Sequence, residues 1–325
     1  MLATRFTELI GCTVPIQQAG MGSLTPPELV AAVSGAGALG MLGTARRGIT
    51  PATLLDLLAD VQARTSQPFG VNFLVSPTHL DRLDRKCLEV AAKAARVVEF
   101  FYGQPSSEFV AMVHDGGALA FWQVGSREEA VAAQEAGCDL IVAQGIEAGG
   151  HVRGTIGLHA LLSEVLPAVD VPVLAAGGIG SGRAMAAALA AGADGVRVGT
   201  RFVAAEESGA HPEYVEALIA ARAEDTIYTE AFSVGWPDAP HRVLRSCLEA
   251  AEAFRGDVVG EVGSLDGTRV PVPRFGALLA DRTTTGAIAA MALAAGESVG
   301  SVRDVQSAGD IVRELAEEAE QLLRR

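Results

Sequence analysis

The segment Ala143–Gly154, reading AQGIEAGGHVRG, concentrates side chains that could do chemistry. His151 follows a glycine pair, Gly149 and Gly150, with Gln144, Glu147 and Arg153 nearby. An imidazole titrates close to neutral pH, so His151 is the candidate for accepting or donating a proton. Glycines without Cβ atoms let a flat ligand lie against the backbone. An isolated loop histidine is more often structural than catalytic. Here it follows two glycines at the end of an expected strand, and that favours the catalytic reading.

Two further glycine loops point to an anion. Val173–Gly180 reads VLAAGGIG and Val196–Phe202 reads VRVGTRF. Gly177, Gly178 and Gly180 precede an expected helix that begins near Ser181, while Gly199 and Thr200 follow the next strand. Backbone N–H groups at glycine approach an anion closely, and a helix N-terminus adds positive potential. In barrels the loops after the last two strands often hold a phosphate. One such loop could be a simple tight turn; two in succession favour phosphate. Other strand ends carry polar groups: Gln18 with Gly20, Met21 and Gly22 after the first strand, Asn72 in the third, and Gln123 closing the fifth. A strand-end amide can satisfy nearby backbone, or it can address heteroatoms on a ring. Taken together, these residues describe a site for a planar, phosphorylated cofactor.

The remaining candidates are discounted. His79, His114, His159, His211 and His241 show no ligand spacing such as HExxH, and no metal is expected. The cysteines Cys12, Cys87, Cys138 and Cys247 form no CxxC pair, which argues against zinc and disulfides. Cys138 precedes the sixth strand, at the end of the barrel away from the site, and reads as buried and inert. Trp236 and Pro237 fall where an inserted rim would cover a substrate.

Positioning these residues requires a repeated strand–helix unit. Apolar runs occur at 14–19, 38–43, 69–74, 97–102, 119–124, 140–143, 171–176 and 195–198, with helical stretches between them. The runs are nearly continuous, as expected for strands buried on both faces, and the interposed helices imply a parallel sheet. An open doubly wound sheet competes with a closed barrel. Functional groups follow many different strands instead of one switch point, so the expected class is α/β, a (β/α)8 TIM barrel. After residue 205 the rhythm breaks. A helix is expected over 211–222, extended chain over 227–234, a helix over 244–254, no clear period over 256–276, and closing helices over 287–295 and 307–323. The expected division is a barrel of residues 1–208 and 285–325, with a smaller inserted unit, 209–284, covering the site.

Composition sets the outer limits. The chain has 325 residues, more than the roughly 250 of a plain barrel, and 49% are hydrophobic. A formal charge of −14 argues against a nucleic-acid partner. The N-terminus lacks a signal-peptide pattern, and no apolar run approaches the roughly 20 residues of a membrane span. A cytoplasmic protein without a membrane partner is expected.

At AQGIEAGGHVRG, followed by AAGGIGSGRAMAAALAAGADGVRVGTRFVAAEES, the chain resembles the nitronate monooxygenase family, over most of residues 10–210. The resemblance implies FMN on a barrel with a smaller domain over the flavin. It implies flavin contacts at Ala19, Gly20, Met21, Gly22, Asn72, Gln144 and Gly149, and a phosphate site at Gly177, Gly178 and Gly180 with Val198, Gly199 and Thr200. His151 matches the family histidine facing flavin and substrate. The implied substrates are a nitronate or nitroalkane and O2, giving a carbonyl compound and nitrite; a homodimer stays open. Two departures stand out: GGHVRG where many members read GGHRG, and QQAGMG without a proline before the methionine. An FMN-dependent NAD(P)H oxidoreductase, either a quinone reductase or an enoyl-acyl-carrier-protein reductase, is the closest alternative. Gln144 argues against the enoyl reductases, which tend to be acidic there. A flavin-free phosphate-binding barrel leaves the GGH loop without a purpose, and a non-catalytic flavin protein leaves His151 without one.

Overall fold

The apolar runs become parallel strands whose alternate residues are buried on opposite faces. In β3 (Phe69–Leu74), β4 (Val97–Phe101), β5 (Leu119–Val124) and β6 (Leu140–Gln144), nearly every residue is buried. Val97, Phe121, Leu140 and Val142 turn into one core, while Val98, Trp122, Ile141 and Ala143 turn into another, between sheet and helices. Such strands lose the polar–apolar alternation of half-exposed ones. The computed structural model describes residues 2–75 and 83–324, and His79 lies outside them.

With β1 (Ile16–Gln18), β2 (Gly40–Gly43), β8 (Val173–Ala176) and β9 (Gly195–Val198), these strands form one sheet of eight in the order β1-β9-β8-β6-β5-β4-β3-β2. Gln17 bridges Leu39 in parallel, joining the two ends, and the Leu39 N–H donates to Ile16 O at 2.9 Å. This is a (β/α)8 TIM barrel. Its N-terminal end is stoppered by α1 (Arg5–Ile10), whose Phe6 and Ile10 enter the inner core with Met41 and Leu174. The helices begin where side chains satisfy their first N–H groups: Thr50 caps α3 (Pro51–Arg64) and Ser181 caps α8 (Gly182–Ala190).

The last helix, α12 (Ala308–Leu323), closes the structure by packing along α8 and α2 (Pro27–Gly35). Its Ile311, Leu315 and Ala319 are buried in the sheet–helix core. At Gly182 a Cβ would stand 2.4 Å from Glu318 Cβ and 2.7 Å from Leu315 O, so the two helices meet where α8 has no side chain.

A separate apolar cluster joins Leu24 and Val203 to Ala210, Tyr214, Phe232, Val259, Leu293 and Val302. Two small sheets serve it. One runs β10 (Thr226–Thr229), β11 (His241–Leu244), β7 (Gly150–His151). The other contains the hairpin of β12 (Val258–Gly263) and β13 (Arg269–Pro273). Residues 256–276, which show no period in sequence, are therefore mostly strand. A register shift between Val258 and Gly260 and the two prolines of β13 hide the alternation. The helix expected at 287–295 is absent. Only Ile288–Ala290 makes a single 3-10 turn, without a side-chain cap, and the rest runs extended, with Ala292 bridging Leu279 and Ala294 bridging Val243. Apolar residues there serve a core with strand-like neighbours, and burial overrides local helical preference.

Leu315→Ala should lower the unfolding free energy by about 2–5 kcal/mol, since a fully packed side chain would leave a cavity under α12. Urea denaturation is expected to show a lower midpoint with an unchanged slope.

Candidate active site

At the C-terminal ends of the strands lies a cavity of about 570 Å³. Of the residues singled out in the sequence, Ala19, Gly20, Met21, Gly22, Asn72, Gln123, Gln144, Gly149, Gly150, His151, Gly177, Gly178, Gly199 and Thr200 all line it. Val198 and Gly180 do not. Val198 is fully buried between sheet and helices, and Gly180 packs on the turn at Ser298, whose Cβ would lie 2.9 Å from an added Cβ.

The cavity floor is a polar cluster inside the barrel. Glu99 is fully buried and takes hydrogen bonds from Gln17 Nε2 at 2.8 Å, Asn72 Nδ2 at 2.7 Å and the Arg197 guanidinium, which also donates to Gln123 Oε1. These partners fix the two amides. An ionised carboxylate only accepts and a guanidinium only donates. Asn72 must therefore keep its carbonyl oxygen free, and Gln123 its NH2. Asn72 and Gln123 thus offer the cavity one acceptor and one donor. Glu99 and Arg197 carry no sequence signal beyond being charged residues inside apolar strands.

Gln144 has a different task. Its Nε2 donates to His151 O at 2.9 Å, and its Oε1 accepts from Arg153 N at 3.1 Å. The amide clamps the loop that carries His151, and both of its ends are engaged. Glu147 likewise caps α7 (Leu158–Val165), accepting from Leu158 N at 2.9 Å. Arg153 pairs with Glu129 at 2.7 Å and places its guanidinium over the Tyr102 ring. The added residue of GGHVRG, Val152, is fully buried, and its N–H donates to Pro240 O at 2.9 Å. The extra residue extends the pairing of β7 with β11.

That pairing sets His241 opposite His151. The imidazoles stand 5.3 Å apart between centroids, and Trp236 stacks on His151 at 4.0 Å. Tyr102 meets both rings edge-on from β4's C-terminal end, with a backbone φ of 87° that a non-glycine residue rarely adopts. His241 Nδ1 lies 3.0 Å from Ala239 O, so it carries the proton and Nε2 is left as an acceptor. The Nε2 atoms of both histidines are buried without a partner. Burial, with a lesser contribution from His241, pushes the His151 pKa down to about 3, and burial lowers that of His241 as well. His151 is therefore neutral at pH 7, able to accept a hydrogen bond but weakly basic. His241 escaped the sequence reading because a pairing across 90 residues of chain has no local signature.

The glycines divide by cause. At Gly149 a Cβ would lie 2.4 Å from Gly296 N, and at Gly20 2.4 Å from Asn72 Cβ, so protein packing alone requires them. Gly177 and Gly178 hold φ of 108° and 69°, which glycine adopts without strain. Gly199 differs: an added Cβ would meet nothing closer than Ala19 Cβ at 3.6 Å, and its φ is −110°. Nothing in the protein demands glycine there, and the vacant side opens on the cavity.

All four cysteines are buried and unpaired; desolvation raises the Cys138 thiol to about 12, as expected for an inert side chain. Among the described residues no cluster suited to a metal is found, and no helix is long and apolar enough to cross a membrane.

Known proteins resemble this chain over most of its length. A family model described as nitronate monooxygenase matches residues 3–318. A Rhodococcus jostii protein named (3aS,4S,5R,7aS)-5-hydroxy-7a-methyl-1-oxo-octahydro-1H-indene-4-carboxyl-CoA dehydrogenase is 35% identical over 267 residues, covering 81% of this chain and 71% of its own. Among solved structures, FabK from Thermotoga maritima superposes with a TM-score of 0.79 at 28% identity, covering 100% of this chain and 98% of that one. Nitroalkane oxidase from Streptomyces ansochromogenes gives 0.76 at 31%, covering 98% of each chain.

Glu99→Gln should leave the Arg197 charge buried and poorly compensated, costing about 3–5 kcal/mol of stability. The double variant Glu99→Gln/Arg197→Gln should recover part of that loss in a denaturant series. Because the His151 pKa lies below its ordinary unfolded value of about 6.5, the unfolded chain takes up the proton first as pH falls. Stability should thus be flat above pH 6.5 and decline below it, by at most about 1.4 kcal/mol per pH unit for this group. In chemical denaturation between pH 6.5 and 5, His151→Gln should show a shallower decline than the parent.

Proposed function

The chain belongs to the nitronate monooxygenase family, and on that premise we propose that it is an FMN-dependent oxidoreductase converting alkyl nitronates and O2 into carbonyl compounds and nitrite. The observation that carries this reading is a neutral His151, with an unpartnered Nε2, in one cavity with the glycine loops of β8 and β9. The residues present fit FMN. Gly199 leaves space that no protein atom fills, Gly178 lies ahead of the α8 N-terminus, and the unused ends of Asn72 and Gln123 suit ring heteroatoms. When bound, FMN would supply the electron acceptor that side chains cannot.

The protein's own part is placement and proton control. His151 Nε2 would accept a hydrogen bond or a proton at the substrate's α-carbon, and Gln144 would hold the His151 backbone in place while it does so. Trp236 and Tyr102 screen the imidazole from water and keep it uncharged. An imidazole of such depressed basicity is a poor base toward a neutral nitroalkane, so the reading favours substrates that arrive as nitronates. The Glu99–Arg197 pair would hold the amides beneath the ring. In this proposal the covering unit begins near residue 209. We draw its end near 302, not at 284, because Ile288 and Val299 pack in its core.

A second reading, an FMN-dependent NAD(P)H oxidoreductase such as a quinone or enoyl-acyl-carrier-protein reductase, draws on Arg46. This cation lines the cavity and joins no ion pair among the described residues, and small nitronates do not account for it.

Purified protein should be yellow. Mixed anaerobically in a stopped-flow instrument, it should change flavin absorbance rapidly with propyl nitronate and little with NADH; fast bleaching by NADH alone would establish the reductase reading instead. His151→Ala should lower kcat/KM for a neutral nitroalkane more than for the matching nitronate, but by less than the roughly 10²–10⁴-fold of a base whose pKa matches the working pH. Equal losses on both would mean that His151 binds substrate and moves no proton.

A further inference from the structure

The cavity has a second end, which neither the glycine loops nor His151 occupy. It is formed by the loop after β2, carrying Arg46 and Arg47, where it meets the β12–β13 hairpin at Ser264. Arg46 is largely withdrawn from water, its Nη1 is buried without a hydrogen-bond partner, and it joins no ion pair among the described residues. Two carboxylates act on it only at a distance, Asp281 and Glu28. Both have other partners: Asp281 Oδ1 accepts from Thr283 N at 2.9 Å and from Thr283 Oγ1 at 2.6 Å, and Glu28 lies 3.5 Å from Arg64. The chain carries 39 acidic residues against 25 Lys and Arg, so a guanidinium without a carboxylate in direct contact does not reflect scarcity.

Holding a guanidinium out of water without a counter-charge is costly. The loop nevertheless fixes it there. Arg46 N donates to Thr44 O at 2.7 Å, Leu265 N to Arg47 O at 3.2 Å, and Thr53 Oγ1 to Gly48 O at 2.9 Å. Among the described residues none hydrogen-bonds Arg46 Nη1, which leaves that N–H free to take an anion from outside. We infer that Arg46, assisted by Arg47, is an anion subsite for the diphosphate of a nucleotide-tailed cosubstrate. A guanidinium fork matches phosphate oxygens two at a time, and adjacent cations suit a diphosphate better than a single carboxylate. The wall shared with the catalytic end includes Val234, Val262 and Leu278, which suits an uncharged stretch between the diphosphate and the reacting carbon. An acyl thioester of coenzyme A and a nicotinamide dinucleotide share this chemistry. The inference belongs with the second, nucleotide-using reading of the cavity, and shares with the nitronate reading only the assignment of the glycine end to FMN.

The test is isothermal titration calorimetry on FMN-saturated protein, with coenzyme A, NADH, inorganic pyrophosphate and uncharged pantetheine as separate probes. Coenzyme A or NADH should bind, and Arg46→Gln should weaken that probe about tenfold or more while leaving pantetheine and the flavin absorbance per protein unchanged. Whichever nucleotide responds identifies the source of the diphosphate. Equal affinity in parent and variant, binding of pyrophosphate alone, or loss of FMN from Arg46→Gln would each overturn the inference, the last by assigning Arg46 to the flavin. Should Arg46→Gln fail to fold, Arg46→Lys and Arg47→Gln are each expected to weaken binding a few-fold, and full affinity in both overturns it. Protein that takes up no FMN would sink the flavin reading alone, and the same titrations repeated on that flavin-free protein would then decide the role of Arg46.

Discussion

Inside the barrel an apolar lower half gives way to a polar upper half at the Glu99–Arg197 ion pair, and the site depends on that transition. Glu99 is fully buried and Arg197 is only 6% exposed. Such charges are tolerated only when paired and hydrogen-bonded, and here the partners are the amides that define the cavity floor. Pairing fixes the orientation of Asn72 and Gln123, and with it the donor and acceptor each presents upward. Below, the Phe6 and Ile10 side chains of α1 and the inward residues of the strands keep water out. The ion pair therefore links the stability of the barrel to the geometry of its mouth.

The covering unit completes what the strands begin. Its β11 pairs with the short β7 of the GGH loop, so His151 is held as a strand residue although its loop follows a barrel strand. Arg242, next to His241, strengthens the junction: its Nε donates to Ile146 O at 3.1 Å, and the side chain pairs with Glu297 at 3.1 Å. Two neutral imidazoles, an indole and a phenol thus share one dry corner of the cavity. The Nε2 atoms of both rings are shielded from water, and burial lowers the basicity of each.

Membership of a family fixes the scaffold and the class of chemistry but leaves the substrate open. The glycine loops and strand-end amides that line the cavity follow barrel strands. The residues at the other end come from the β2 loop and the β12–β13 hairpin, segments free to vary without disturbing the barrel. Relatives with names as different as a CoA-ester dehydrogenase and a nitroalkane oxidase are consistent with that division.

The sequence by itself determined the barrel. Eight apolar runs separated by amphipathic helices allow few arrangements, and the strands at Phe69–Leu74 and Leu119–Val124 emerge where the apolar runs put them. It also identified the cavity-lining glycines and His151, because special backbone demands and an ionisable ring leave local traces. Tertiary structure alone decided the rest. Glu99 and Arg197 become partners across 98 positions, and His241 reaches His151 across 90, through sheet closure and strand addition that no window of sequence contains. It gave Gln144 a clamping role on the loop that carries His151. It also turned the apolar stretch at 287–295 into extended chain, since burial against neighbouring strands outweighed helical preference. Local chemistry is written in residue types; which groups meet is set only when distant segments close around a common core.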